Sequence, residues 1–194
     1  MAVLAGAQWL ERSRGGSGVL LGGVPGVPPA EVLVLGGGIV GTHAAKMACG
    51  LGAHVTIMDT NLHRLRELSD FMPANCDVIY SNRQNILDRL PLTDLLIGGV
   101  LLPGAKAPYL VTKKDLKLMQ PGSVIVDFSL YHGGCVQTTK PTTHENPIYT
   151  VDGVIHYGVA NRTRAIDVGG IGAIHLLTQH IGLGPSPPRR VTVE

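Results

Sequence analysis

Charge is scarce in this chain of 194 residues: Asp, Glu, Lys and Arg make up 15 %, and the net charge at pH 7 is only +2. No basic stripe with interleaved aromatics occurs, so the sequence offers no electrostatic footprint for nucleic acid or for an anionic membrane. Aromatics are scarcer still, at 4 %, which leaves any core to aliphatic side chains. The three cysteines, Cys49, Cys76 and Cys135, are odd in number and lack metal-ligand or redox spacing. They read as buried, reduced thiols of a cytoplasmic protein. Eight histidines are scattered without an HExxH arrangement, so no metal site is expected. No apolar run reaches the length of a membrane span, so no membrane partner is expected either. Met1–Leu10 is apolar, but Glu11, Arg12 and Arg14 follow it, the reverse of the charge order in a secretory signal. Glu11 and the shortness of the stretch also argue against a transit peptide.

Glycine, by contrast, is plentiful, at 26 residues, and its placement organises the chain. Glu31 to Asp59 reads EVLVLGGGIVGTHAAKMACGLGAHVTIMD. Glu31–Leu35 is short, apolar and β-branched, as a buried strand is. Gly36-x-Gly38-x-x-Gly41 follows. Ile39 to Leu51 fits a helix closed by Gly50 or Gly52. His54–Met58 is a second strand, and Asp59 stands at its end.

Each residue type there has a physical job. Gly36 permits the tight turn, Gly38 lets a pyrophosphate approach the backbone, and Gly41 lets the helix lie close to the strand. The helix start offers unpaired N–H groups and a positive dipole end to phosphates. Asp59 can accept hydrogen bonds from both ribose hydroxyls of an adenosine and would repel a 2′-phosphate, which favours NAD over NADP. A bare GxGxxG carries little weight, but a strand before it, a helix after it and an acid at this distance make a dinucleotide site. Two alternatives stay open at this point. The glycines could only shape a turn in a βαβ unit, or the ligand could be another adenosine compound such as S-adenosylmethionine.

Elsewhere, Ala2–Arg12 reads as the end of a helix with Ala2, Ala5, Gly6 and Trp9 on one side, and Gly15–Pro29 as a glycine- and proline-rich linker. A helix interrupted at that point would expose an apolar face for assembly. After Asp59, Asn61 can cap a helix through Leu62, Leu65, Leu68 and Phe71, ended by Pro73. Cys76–Tyr80 is a third strand, Asn82–Leu90 a short helix stopped by Pro91, and Asp94–Val100 a fourth strand. Leu101–Pro108 forms an irregular loop. Thr112 is expected to cap a helix through Met119, and Pro121-Gly122 turns into a fifth strand, Ser123–Phe128. Ser129–Pro147 reads as a long polar loop, and Gly153–Val159 as the last strand. Alternation of about six strands with helices leaves one main solution, a Rossmann-type, doubly wound parallel α/β sheet with helices on both faces. The expected order is 3-2-1-4-5-6, with the ligand across the carboxyl ends of the strands. We therefore expect residues 1–30 to be a helix end and linker, 31–161 the nucleotide domain, and 162–194 a tail of uncertain structure.

These motifs together resemble the NAD-binding half of alanine dehydrogenase, over about residues 2–161. The resemblance is carried by GVLLGGVPGV at 18–27, VLGGGIVGTHAAKMACGLGAHVTIMD at 34–59, VLLPGAKAPYLV at 100–111, MQPGSVIVD at 119–127, GG at 133–134 and YGVAN at 157–161. The related transhydrogenase α-subunits usually carry a longer insertion between the second and fourth strands and a PGKPAP-like loop. The short link from Asp59 to Asp94 and the PGAKAP loop are closer to alanine dehydrogenase. In that family L-alanine, water and NAD become pyruvate, ammonium and NADH. The resemblance implies cofactor contacts at Gly36, Gly38, Ile39, Val40 and Gly41 in the turn. It implies Asp59 and Arg64 near the adenosine and Ser81 near the adenine. Val100 and Leu101 would lie along the dinucleotide, and Phe128 to Tyr131 with Val159 to Asn161 near the nicotinamide. Arg64 could equally be a solvated helix residue, and Lys106 either orients its loop or meets a phosphate.

The chain departs from the family pattern in three places. The front half that supplies the substrate-binding arginine and lysine and the catalytic histidine is absent from these residues. The family's IDQGG segment reads Leu130-Tyr131-His132-Gly133-Gly134, so Tyr131 stands where the catalytic aspartate is expected, and His132 is the neighbouring candidate acid or base. After Asn161 the family's MPGAVPRTS run is replaced by RTRAIDVGG. The implied function is therefore NAD(H) binding without complete catalytic machinery. The alternatives are a non-catalytic nucleotide-binding or assembly module, joining a full-length relative or further copies of itself, or a transhydrogenase-like domain.

Overall fold

The strands are apolar on both sides, and this dictates a sheet covered on both faces. In β1 (Glu31–Leu35), Val32 and Val34 turn to one face while Leu33 and Leu35 turn to the other, and all four are buried. The computed structural model describes residues 1–100 and 109–159, with only the backbone of Tyr131 and His132. Leu101, Lys106, Asn161 and the tail after it lie outside the described residues.

Among the described residues the sheet has seven strands in the order β3-β2-β1-β4-β5-β7-β6. They are β1, β2 (His54–Asp59), β3 (Cys76–Tyr80), β4 (Leu95–Gly98), β5 (Val124–Asp127), β6 (Ile148–Val151) and β7 (Val154–Tyr157). All pairings are parallel except β6 with β7. The expected doubly wound order is thus present, with one strand more. β6 and β7 form a hairpin whose two turn residues, Asp152 and Gly153, both have positive φ, at 50° and 83°. That left-handed pair matches the right-handed twist of the strands.

Helices α1 (Ala2–Leu10), α2 (Ile39–Gly50) and α3 (Leu62–Phe71) contribute Val3, Leu10, Ala45, Ala48, Leu65 and Leu68 to one apolar layer. The opposite layer joins Leu33, Leu35, Met58, Leu96 and Ile125 to Ile86 of α4 (Arg83–Arg89) and to Leu90, Leu116 and Met119. Each fully buried aliphatic side chain contributes roughly 1.5–3 kcal/mol, so these layers dominate stability. Covers change face between β1 and β4, the topological switch point at which open α/β sheets bind ligands.

Local signals act as their chemistry requires. Asn61 accepts from the N–H groups of His63 and Arg64 at the start of α3, and Asn82 accepts from Asn85 at the start of α4. Pro25-Gly26 turns the segment between Val24 and Val27, with Gly26 at φ 89°. Two expectations need correction. The helix after Thr112 is only a 3-10 turn, Asp115–Leu118. The Thr112 N–H and Oγ donate to Asp115 Oδ2 at 2.7 and 2.8 Å, and Asp115 is anchored on Arg83 through two bonds. Pro121 lacks the N–H that would extend the turn and pushes the residue before it out of the helical region. Secondly, α1 does not present its apolar face outward. Ala2, Val3, Gly6 and Leu10 are buried, and a Cβ on Gly6 would come within 2.5 Å of Leu95. Trp9 is half-buried beneath the Arg14 guanidinium, 5.3 Å away. The chain's own sheet covers the face on which an assembly partner was expected. α1, the linker and the sheet belong to one compact unit, Met1–Ala160.

Candidate functional site

Two of the three fingerprint glycines in the first turn are forced by neighbouring backbone. Gly36 sits at φ 100°, and a Cβ there would lie 2.9 Å from the carbonyl of Gly99 after β4. Gly41 has no room because a Cβ would run into the Gly36 carbonyl oxygen. Gly38 is different. Its backbone is extended, at φ −68° and ψ −170°, which any residue adopts, and a Cβ there would meet nothing within 4 Å. No atom of the described chain requires a glycine at 38. The open space lies at the N-terminus of α2, which no side chain caps. Ile39 and Val40, the first helical residues, are 61 % and 46 % exposed. Free N–H groups, a dipole end and a missing Cβ together make a cradle for a phosphate group.

Asp59 stands at the carboxyl end of β2 beside this cradle. Its Oδ2 accepts from Gly37 N–H at 2.7 Å and its Oδ1 from Asn61 N–H at 2.8 Å. Each oxygen keeps a further lone pair for a hydroxyl donor. Arg64 is half-buried and engaged rather than simply solvated. Its Nε donates to the Gly37 carbonyl at 2.8 Å, its Nη2 to Thr42 Oγ1 at 2.9 Å and its Nη1 to Glu67 at 2.6 Å. Thr42 in turn donates to Gly37 O at 3.0 Å. Gly37 is therefore held from both its N–H and its C=O, and the turn is fixed before any ligand arrives. Ser81 donates its N–H to the Asp59 carbonyl at 2.8 Å and lines a cleft with Thr60, Asn82, Ile86 and Tyr109. Arg83 edges the same cleft, pinned to the buried Asp115. That guanidinium holds the Asp115 carboxyl down at about 2.

At the other side of the crevice, Val100 is half-buried just past β4, and Gly99 N–H donates to Leu35 O at 2.8 Å. Phe128 is half-buried against the core, and Val159 is buried, bridged to Thr142. Tyr131 and His132 belong to a 3-10 turn, Phe128–His132. Their side chains, Leu101 and Asn161 lie outside what the structure describes. The structure thus brings together Gly36 to Gly41, Asp59, Arg64 and Ser81.

Two groups here escape a reading of motifs. Asp127, at the end of β5, is buried and accepts from Ser129 N–H and Oγ, Cys135 N–H, Val136 N–H and Thr139 Oγ1. It ties the turn after β5 to the segment 135–139. His156 in β7 is also buried, stacked on Tyr149 with ring centroids 5.0 Å apart. Its Nε2 meets Thr138 Oγ1 at 2.8 Å and its Nδ1 the Val154 carbonyl at 3.0 Å. Burial pushes the His156 pKa below 6.5, so the ring is neutral, with Nδ1–H donating to the carbonyl. An Asp two residues before a Ser is a local signal for the first group. The second depends on long-range pairing. Cys49 and Cys135 are buried, Cys76 only half so, and all three are free thiols. No helix among the described residues is long and apolar enough to cross a membrane.

A family model described as the C-terminal domain of alanine dehydrogenase/PNT matches residues 2–170. The chain belongs to this family. The match runs past Asn161, where the motif resemblance ends. Alanine dehydrogenase of Methanococcus maripaludis is 54 % identical over 167 residues, covering 86 % of this chain and 45 % of that protein. The Bacillus subtilis alanine dehydrogenase is 53 % identical over 167 residues, with 86 % and 44 % covered. A solved L-alanine dehydrogenase superposes with a TM-score of 0.80 at 53 % identity, covering 82 % of this chain and 44 % of the other. A transhydrogenase from Sinorhizobium meliloti reaches 0.67 at 25 % identity, with 82 % and 45 % covered. The chain spans a little under half the length of the curated relatives it matches. Among family members it stands nearer the alanine dehydrogenases, as the short β2–β4 link and the PGAKAP loop imply.

Proposed function

We propose that the chain binds NAD(H) across the carboxyl ends of β1, β2 and β4 and serves as the cofactor side of an alanine dehydrogenase-type oxidoreductase. The observation that carries this reading is the open space at Gly38, a glycine that no neighbouring atom demands. The uncapped start of α2, with Ile39 and Val40, receives the pyrophosphate. Asp59 accepts from the adenosine ribose and excludes a 2′-phosphate by charge. The Ser81 cleft lies where the adenine would extend. Val100 would follow the dinucleotide and Phe128 with Val159 would flank the nicotinamide, and the family resemblance implies the same contacts for Leu101 and Asn161. When bound, the nicotinamide supplies the hydride acceptor or donor. The chain's own residues bind it, orient it and fix its face. The free thiols support a cytoplasmic setting.

The same reading makes these 194 residues a binder rather than a complete catalyst. Dehydrogenation also needs a positioned substrate and a proton acceptor, worth about 10²–10⁴-fold for the proton transfer alone. The family's aspartate is replaced by Tyr131, and a phenol ordinarily has a pKa of about 10. A full-length relative would have to supply the missing groups. The experiment is calorimetric titration with NADH, followed by an absorbance assay with pyruvate and excess ammonium. NADH binding without turnover is expected. Turnover by the isolated chain that His132→Ala abolishes would move the chemistry into the Ser129–Gly134 turn and overturn this division of labour.

A further inference from the structure

Arg64 is a full positive charge beside a site that is expected to reject a phosphate. Arginine is always protonated, and its planar fork suits a phosphate well, so this charge ought to favour NADPH. The guanidinium and the Asp59 carboxylate meet at a single residue: Arg64 takes the Gly37 carbonyl and Asp59 takes the Gly37 N–H. Three of the five guanidinium N–H groups are engaged within the chain, and the Glu67 carboxylate offsets the charge. Nε and Nη2 are bound to Gly37 and Thr42, and Nη1 is bound to Glu67. Phe71 lies under the group at 5.8 Å and carries Lys46 at 4.3 Å. Glu67 also reaches His63 Nδ1, at 3.2 Å, and so sits between two basic groups of α3. The Arg64 hydrogen bond holds the Glu67 carboxyl below the ordinary carboxylate range, so it stays charged.

We propose that Glu67 is a specificity-determining, positioning residue: by holding Arg64 Nη1 it denies a ribose 2′-phosphate the cation beside it. Asp59 repels the phosphate directly, and Glu67 removes the compensating attraction. The two carboxylates are a repulsive element and a masking element of one selectivity. This rests on the nucleotide reading of the Gly36–Gly41 turn.

The test is fluorescence titration of the whole chain with NADH and with NADPH, in the unsubstituted protein, Glu67→Gln, Asp59→Asn, the double variant, and the double variant with Arg64→Gln. Glu67→Gln is expected to raise the NADPH-to-NADH affinity ratio, by about tenfold in the Asp59→Asn background, the size of one charge-assisted hydrogen bond. Adding Arg64→Gln should erase that gain. Glu67→Ala is the second probe of the same position and must move the ratio the same way. A loosened α3 would weaken both nucleotides alike, leaving the ratio where it was, and that result overturns the proposal. So does a gain that survives Arg64→Gln. Failure of the unsubstituted chain to bind NADH removes the nucleotide reading and this inference with it. NADH binding with an unmoved ratio removes the inference alone.

Discussion

Asp59 closes β2 and Asp127 closes β5, at the carboxyl ends of two parallel strands of one sheet. Both follow an apolar run, and both accept backbone N–H groups from the turn that follows. They differ in what is left over. Asp127 is 5 % exposed and takes five N–H or O–H donors from Ser129, Cys135, Val136 and Thr139. Asp59 is half-buried and takes two, from Gly37 and Asn61. A carboxylate has about four lone-pair sites, so Asp127 is saturated by its own chain while Asp59 keeps capacity facing the crevice. The first is a brace, and the second is the group to which the proposed nucleotide reading gives the ribose. A strand-end aspartate can take a ligand only when the fold leaves lone pairs unused.

The sharpest way to break this comparison is to remove the brace. Asp127→Ala leaves several buried donors unpaired at once and should lower stability by about 3–5 kcal/mol or prevent folding. Urea unfolding measures it, and a loss below about 1 kcal/mol would mean that water or rearrangement replaces the carboxylate. The converse substitution separates binding from folding. Asp59→Asn should change stability by under about 1 kcal/mol, yet reduce the preference for NADH over NADPH by about tenfold or more, since the like-charge repulsion is gone. Equal affinities before and after would mean that Asp59 does not face the ribose.

The smallest effect belongs to His156, beside the Asp127 brace. Its pKa is depressed in the folded chain, so the unfolded chain takes the proton first. Its contribution is fully present above about pH 6.5 and is lost as the pH falls through the lower folded-state value. Urea midpoints at a neutral and a mildly acidic pH should therefore fall further for the unsubstituted chain than for His156→Gln. Parallel pH slopes would remove His156 from the account.

How much of this could be read from residues follows from how local each signal is. β1, α2, β2 and α3 were legible because their cues lie within a few positions: continuous apolar runs, the glycine fingerprint, and Asn61 as a cap. β6 escapes a reading of the sequence although Asp152-Gly153 is a strong hairpin signal, because the stretch before it reads as one polar loop. The turn at Asp115 reads as a helix because Thr112 is a good cap, yet Pro121-Gly122 leaves too few residues for a helix to extend. The same holds for the site. Gly38 and Asp59 announce themselves, whereas the engagement of Arg64 by Gly37, Thr42 and Glu67 depends on how α2 and α3 meet over the turn. The saturation of Asp127 likewise needs the 135–139 segment to fold back.

The central claim is that Gly38 is glycine for the sake of a bound pyrophosphate. Calorimetric titration of NADH into Gly38→Val beside the unsubstituted protein tests it most directly. The extended backbone at 38 accepts a branched residue, and no neighbour stands within 4 Å of the added Cβ. The account predicts an unchanged urea midpoint, NADH binding by the unsubstituted chain, and none by Gly38→Val. A folded Gly38→Val that binds NADH as tightly as the unsubstituted chain would contradict it.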